Sequence, residues 1–185
     1  VLGSHVNQKG SLVNNEILRF DFSHFQKVTD EEIAQVEEIV NQKIRENIPL
    51  VEERNVPIAE ATSRGAMALF GEKYGDFVRV ITFDKNYSVE LCGGTHVPST
   101  GKIGLFKITS ESSVAAGVRR IEAVTANEAK ILLEQQTALI AKISEALKNP
   151  KDLVKAVNDL VEEKAKLQKQ LEEVYLKQAA DLKAN

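Results

Sequence analysis

The chain has 185 residues, is 43% hydrophobic and carries a formal net charge of −3, which suits one good core plus an appendage and excludes a disordered or strongly nucleic-acid-like chain. A single cysteine excludes an internal disulfide, and no apolar run approaches the roughly 18 to 20 residues that span a bilayer, so the expectation is a cytoplasmic protein with no membrane contact. The chain opens at Val1 with neither methionine nor signal segment, which points to a cut from a longer polypeptide.

Ser11 to Ser23 reads as a hairpin, with Leu12-Val13, the turn residues Asn14-Asn15, and then Ile17, Leu18, Phe20 and Phe22 interleaved with polar residues. Thr29-Asp30-Glu31-Glu32 is a capping box, and Ile33, Val36, Ile39, Val40 and Ile44 recur at helical spacing, giving a helix of about five turns that ends before Pro49. Its apolar stripe calls for a sheet to lie on. A short helix is expected over Ser63 to Phe70, and strands over Phe77–Phe83, Ser88–Leu91, Gly104–Thr109 and Arg119–Val124, separated by Asp84-Lys85-Asn86 and glycine-bearing turns. This order predicts an α+β domain with an antiparallel sheet over residues 1–125.

Composition changes near residue 125. Nine of the ten aromatic residues and nine of the ten glycines lie at or before Phe106, so the remainder, 126–185, reads as rod-like. A capping box at Thr125-Ala126-Asn127-Glu128 opens one helix, Asn149-Pro150 breaks it, and a second helix carries Leu153, Val157, Leu160, Lys164, Leu167, Leu171, Val174 and Gln178 as a heptad seam with two polar interruptions. The pair predicts an antiparallel helical hairpin, coiled-coil-like, that leads toward a further C-terminal domain. Lysines and acids alternate along it, so it is a solvated surface and not a polybasic arm.

Chemistry concentrates in Leu91-Cys92-Gly93-Gly94-Thr95-His96, which holds the only cysteine and one of three histidines. Two glycines oppose a helix, so Cys92 and His96 sit on a loop directly after a strand and can turn toward one point. Three readings stand on spacing alone. Cys92 is a buried thiol with His96 hydrogen-bonded in the loop, the two are half of a zinc site, or Cys92 is a nucleophile with His96 as its base. Only His5 and His24 remain as nitrogen donors, and neither forms a local pair with the other.

The run Glu90-Leu91-Cys92-Gly93-Gly94-Thr95-His96, followed by Gly101-Lys102-Ile103-Gly104-Leu105-Phe106-Lys107-Ile108 and Gly117-Val118-Arg119-Arg120-Ile121-Glu122-Ala123, resembles the editing domain of alanyl-tRNA synthetases. So do His5-Val6-Asn7-Gln8-Lys9-Gly10-Ser11-Leu12-Val13, Leu18-Arg19-Phe20-Asp21-Phe22-Ser23-His24 and the stretch Gly65 to Asp76. Freestanding editing proteins and the editing domain of threonyl enzymes are similar around the Cys-x-x-x-His loop, while the terminal helices resemble the start of the linker in the synthetase.

The resemblance implies hydrolysis of seryl- or glycyl-tRNA for alanine, in an enzyme that ligates alanine to that tRNA. It implies zinc (Zn2+) held by Cys92 and His96 with two further ligands from a His-x-x-x-His motif upstream of Val1, so that this piece alone is impaired; His5 and His24 fall in other motifs and are not ligands. ATP and Mg2+ are expected only in an aminoacylation domain elsewhere. Gln8 matches a pocket position, with Ser11 and Thr95 as weaker candidates, and Lys9, Lys102, Lys107 and one of Arg119 and Arg120 are expected to meet phosphates at the acceptor end. The competing expectations are a fragment of a freestanding editing protein and a non-enzymatic RNA-binding or coiled-coil assembly module able to self-associate through its C-terminal helices.

Overall fold

The computed structural model describes residues 1–68 and 73–184, with side chains described to residue 179. The antiparallel α+β expectation is met, with the strands divided between two sheets. Strands β1 (Gln8–Val13), β2 (Leu18–Ser23), β6 (Phe106–Ala115) and β7 (Val118–Thr125) form one sheet in the order β1-β2-β7-β6, and β3 (Val51–Pro57), β4 (Phe77–Asp84) and β5 (Ser88–Leu91) form the other in chain order. Helices are α1 (Asp30–Arg45), α2 (Ile58–Ser63), α3 (Ala126–Ala146) and α4 (Leu153–Ala184), with a 3₁₀ turn at Thr100–Ile103.

The capping box at Thr29 forms as the sequence predicts: Thr29 accepts from the Glu32 amide and Glu32 from the Thr29 amide. The α1 stripe of Ile33, Val36, Val40 and Ile44 packs with Phe22, Val28, Phe106, Ile108, Ile121 and Ala123 of the four-stranded sheet. The flank of α1 beside that stripe closes a sheet edge. Asn41 receives the Phe106 amide and donates to the Phe106 carbonyl, both at 2.9 Å, and Glu37 accepts from the Ile108 amide at 2.7 Å, so two helix side chains occupy backbone groups that β6 would otherwise offer to another strand.

A smaller cluster, Val56, Ala61, Ala66, Val78, Val80 and Leu91, lies under the three-stranded sheet. β3 has no counterpart among the expected strands, because Val51-Glu52-Glu53-Arg54-Asn55-Val56-Pro57 is charged and ends in proline; as an edge strand it tolerates both. The short helix lies a turn earlier than expected. Pro57 opens it and Ser63 ends it, with the Ser63 hydroxyl bonded back to the Glu60 carbonyl instead of capping a helix on its C-terminal side; the remainder of the expected helix reaches residues outside those described.

The chain divides by compactness within α3, into Val1–Leu132 and Leu133–Asn185. Ala126 opens α3 with φ 46° and its amide bonded to the Leu105 carbonyl, a departure from the regular capping box expected at Thr125–Glu128. Lys148 and Asn149, with φ of 63° and 53°, follow α3 in left-handed conformation and end it where Asn149-Pro150 was expected to. In the helical unit, Val157, Leu160, Leu167, Leu171 and Val174 of the α4 seam and Leu139, Ile140 and Ile143 of α3 are all exposed. The seam is therefore uncovered in the single chain. Among the described residues no helix is long and apolar enough to cross a membrane.

Candidate functional site

The loop bearing Cys92 and His96 is held at both ends. Leu91 is buried at the end of β5, and the Cys92 amide extends the β4–β5 ladder by donating to the Arg79 carbonyl at 3.2 Å. Beyond the loop, the Leu50 amide donates to the Pro98 carbonyl at 2.9 Å. Thr100, a buried polar residue, donates its hydroxyl to the Lys43 carbonyl at 2.7 Å and accepts from the Ile48 amide at 2.8 Å. Every polar atom of that threonine side chain is satisfied, as burial demands.

Between these anchors the donors take up distinct positions. His96 lies half-buried beside Phe83, ring centroids 6.4 Å apart, and its Nδ1 is buried without a hydrogen-bond partner. Cys92 is a half-buried free thiol whose Sγ lies over Gly94, 3.7 Å from where a Cβ there would stand. An orphaned imidazole nitrogen and a free thiol on one loop are donors of the kind zinc takes. Among the described residues no group of three or more His, Cys, Asp and Glu gathers. Cys92 and His96 are the two donors of that kind on this loop.

His96 and Thr95 border a cavity of about 490 Å³, together with the β1–β2 turn, Lys43, Tyr87, Lys102 and Glu128. In that turn Asn14 Oδ1 accepts from the amides of Glu16 and Ile17 at 2.9 and 2.8 Å, the local bonding that makes asparagine a turn residue. The space is within the usual range for a small-molecule or nucleotide pocket.

Gln8 and Ser11 stand apart from this cavity and touch each other, Gln8 Nε2 donating to Ser11 Oγ at 3.3 Å. A bulge causes the contact. Gln8 pairs with Phe22, Gly10 with Asp21 and Ser11 with Phe20, so Lys9 is an extra residue and both Gln8 and Ser11 fall on the Phe20–Phe22 face instead of opposite ones.

Arg119 and Arg120, expected as phosphate contacts, both have carboxylate partners within the chain. They do face opposite sides of β7, but each is closed onto a carboxylate: Arg119 forks onto Glu111 at 2.5 and 2.6 Å, and Arg120 onto Asp21 at 2.6 and 2.7 Å. The Asp21 carboxyl is held below its ordinary range chiefly by its hydrogen bond to Arg120, and Glu111 raises the affinity of Arg119 for its proton. Lys107 pairs with Glu37 at 2.7 Å, which leaves Lys102 as the expected cation that lines the cavity.

His5 and His24, expected to form no local pair, meet across the fold with His5 Nε2 2.8 Å from His24 Nδ1 and the rings stacked. The β1–β2 hairpin brings the start of the chain beside the end of β2, which spacing in sequence did not reveal. Arg79, expected only as part of a strand and not of the site, donates to the carbonyls of Cys92, at 3.1 Å, and Gly94, and its guanidinium is paired with Glu52. The signal available was a lone arginine inside an apolar strand, Phe77-Val78-Arg79-Val80-Ile81.

Residues 78–122, which contain all of β4 but its first residue, together with β5, the loop and most of the β6–β7 pair, match the family profile described as threonyl and alanyl tRNA synthetase second additional domain. The chain is 71% identical over 173 residues, 94% of its length, to the alanine–tRNA ligase of Cytophaga hutchinsonii. These matches support a fragment of an alanyl-tRNA synthetase. The chain is also 55% identical over 183 residues to the alanine–tRNA ligase of Parabacteroides distasonis and 52% identical over 183 residues to that of Flavobacterium psychrophilum, 99% of the chain in each case. The chain spans about a fifth of the length of these relatives, between 20% and 21%.

Proposed function

We propose that this chain is the part of an alanine–tRNA ligase that hydrolyses the ester of tRNA for alanine mischarged with serine or glycine. The observation that carries the reading is the Cys92–His96 loop, with a thiol and an orphaned imidazole nitrogen at the two ends of a Gly-Gly-Thr stretch and His96 on the rim of the cavity of about 490 Å³. A separate hydrolytic site answers a limit of selection by size. One methyl discriminates by only about 1–3 kcal/mol, and the extra hydroxyl of serine is poorly rejected by an apolar pocket.

On this reading the chain acts chiefly by positioning. The cavity takes the acceptor end of the tRNA, Lys102 at its edge meets a phosphate, and the Thr95 hydroxyl offers a hydrogen bond to the terminal sugar or ester. The Gln8 amide and Ser11 hydroxyl, set side by side by the Lys9 bulge, stand outside this cavity and take no part in holding the misattached residue there. Cys92 and His96 would hold zinc together with two donors from outside this segment, and zinc held there would supply a Lewis-acidic charge beside the amino end of the misattached residue. Ligation with ATP and Mg2+ belongs to other parts of the longer polypeptide.

The net charge of −3 and the internal pairing of Arg119, Arg120 and Lys107 support weak, salt-sensitive RNA binding by this segment alone. Zinc analysis of the full-length polypeptide tests the metal assignment: one zinc per chain is expected, lost in Cys92→Ala and His96→Ala. Retention of the full zinc content by both variants would overturn it. For the helical unit, the exposed α4 seam supports self-association through α4, with Lys164 and Gln178 limiting its strength.

A further inference from the structure

We infer that Arg79 is the positioning residue of the Cys92–His96 loop, a guanidinium clamp that sets the distance between the two donors. The inference rests on the functional reading of that loop and adds to it a residue on a different strand. Gly93 and Gly94 lack the side chains that would restrict the loop backbone, and nothing lies within 4 Å of where a Cβ on Gly93 would stand, so local sequence leaves the separation of Cys92 and His96 soft. The constraint comes from across the sheet.

Arg79 bonds the loop at three points. Its carbonyl accepts the Cys92 amide at 3.2 Å, and its Nη1 donates to the Cys92 carbonyl at 3.1 Å and to the Gly94 carbonyl. One planar group thereby spans both sides of Gly93. Its other edge faces Glu52, with Nη2 donating to Oε2 at 3.1 Å and Nε in ion-pair contact with Oε1 at 3.0 Å without a hydrogen bond. A fork of this shape suits arginine and no other side chain, since a lysine ammonium lacks the plane that reaches two carbonyls and a carboxylate together.

β3 is built around the same contact. Glu53 pairs with Val80 and Val56 with Val78, so Arg54 and Asn55 together stand opposite Arg79, and Asn55 takes φ 57°. This bulge brings Arg54 back onto Glu52 as well. Glu52 is therefore gripped by two guanidiniums, and a strained residue sits directly across from the clamp, the arrangement by which bulges aim side chains beside functional sites.

Amide hydrogen exchange on the full chain, followed by mass spectrometry with residue-level fragmentation, tests the clamp in Arg79→Lys and Arg79→Gln. The expected result is exchange at Gly93, Gly94 and Thr95 accelerated at least about tenfold, with Val80 and Ile81 unchanged, and Glu52→Gln giving a smaller effect of the same pattern. Unchanged loop exchange overturns the inference, and so does equal acceleration along β4, which would make Arg79 a sheet residue only. A cobalt(II) titration of the full-length polypeptide separates this inference from the zinc reading. A thiolate–cobalt band weakened about 10- to 100-fold in apparent affinity by Arg79→Gln supports both. A band of unchanged affinity in Arg79→Gln overturns the positioning role. Absence of the band in the unsubstituted protein overturns the zinc reading, and the exchange result then decides the clamp.

Discussion

Arg119→Ala separates a structural role from an RNA-binding one. Arg119 forks onto Glu111 across the β6–β7 pair at 2.5 and 2.6 Å, with the Glu111 side chain 3% and the Arg119 side chain 14% exposed. Truncation leaves the Glu111 carboxylate buried beside Ile121 with its main counter-charge removed. Breaking a buried pair from one side costs about 3–5 kcal/mol, and partial access of water to Arg119 places this case near the lower end, about 3 kcal/mol. For a compact unit between the usual small and large classes this is a fall in Tm of about 10 °C. Urea and thermal unfolding followed by circular dichroism read the loss, and Arg119→Leu combined with Glu111→Leu should recover most of it, because no unpaired charge remains. The slope of log K against log salt for tRNA binding should stay unchanged. A stability loss under about 0.5 kcal/mol, or a slope reduced by one phosphate contact of about 0.7–0.9, would refute the assignment.

Lys102→Ala should have the opposite profile, with Tm within about 2 °C of the unsubstituted chain and the salt slope of tRNA binding reduced by about 1. Gly101→Ala should destabilise by about 1–3 kcal/mol in urea unfolding, because a Cβ would stand 2.9 Å from Asn47 Cγ while the Asn47 side chain is held by Ser99 Oγ at 2.7 Å. Glu52 is held down to about 2 chiefly by its hydrogen bonds to Arg79 and then Arg54. A lowered carboxyl contributes stability above its ordinary value near 4.5 that is lost as pH falls toward about 2, so loop exchange at 93–95, corrected for intrinsic rates, should be constant from pH 7 to about pH 5 and rise below that; constancy down to pH 2 would count against the pair. Leu167→Lys should weaken any α4-mediated dimer at least about tenfold by sedimentation equilibrium, and a monomeric unsubstituted chain at all accessible concentrations would remove the self-association proposal.

Periodicity and capping carried the fold further than the site. Thr29–Glu32 marked the start of α1, Ile33 to Ile44 marked its buried face, and Asn14 marked the hairpin turn, because each signal is local and matches the bonds that form. β3 escaped since an edge strand can be charged, and the helix ending at Ser63 escaped since serine caps either end of a short helix by different bonds. The loop itself was legible through Cys92, Gly93, Gly94 and His96. What fixes it was not, because Arg79, Glu52 and the Asn55 bulge come from two other strands, and the Lys9 bulge that unites Gln8 with Ser11 depends on cross-strand register. The ion pairs of the two arginines were hidden for the same reason: Asp21 lies 99 residues from Arg120 in sequence and directly opposite it in the sheet.

The central claim is that the Cys92–His96 loop and its cavity cleave a misattached aminoacyl ester. Its most direct test is single-turnover release of serine from seryl-tRNA for alanine by the full-length polypeptide, beside alanyl-tRNA as control and Cys92→Ala as variant. The account predicts rapid release of serine, slow release of alanine, and loss of serine release by at least about 10- to 100-fold in Cys92→Ala. Equal hydrolysis of both esters, or an undiminished rate in Cys92→Ala, would contradict it.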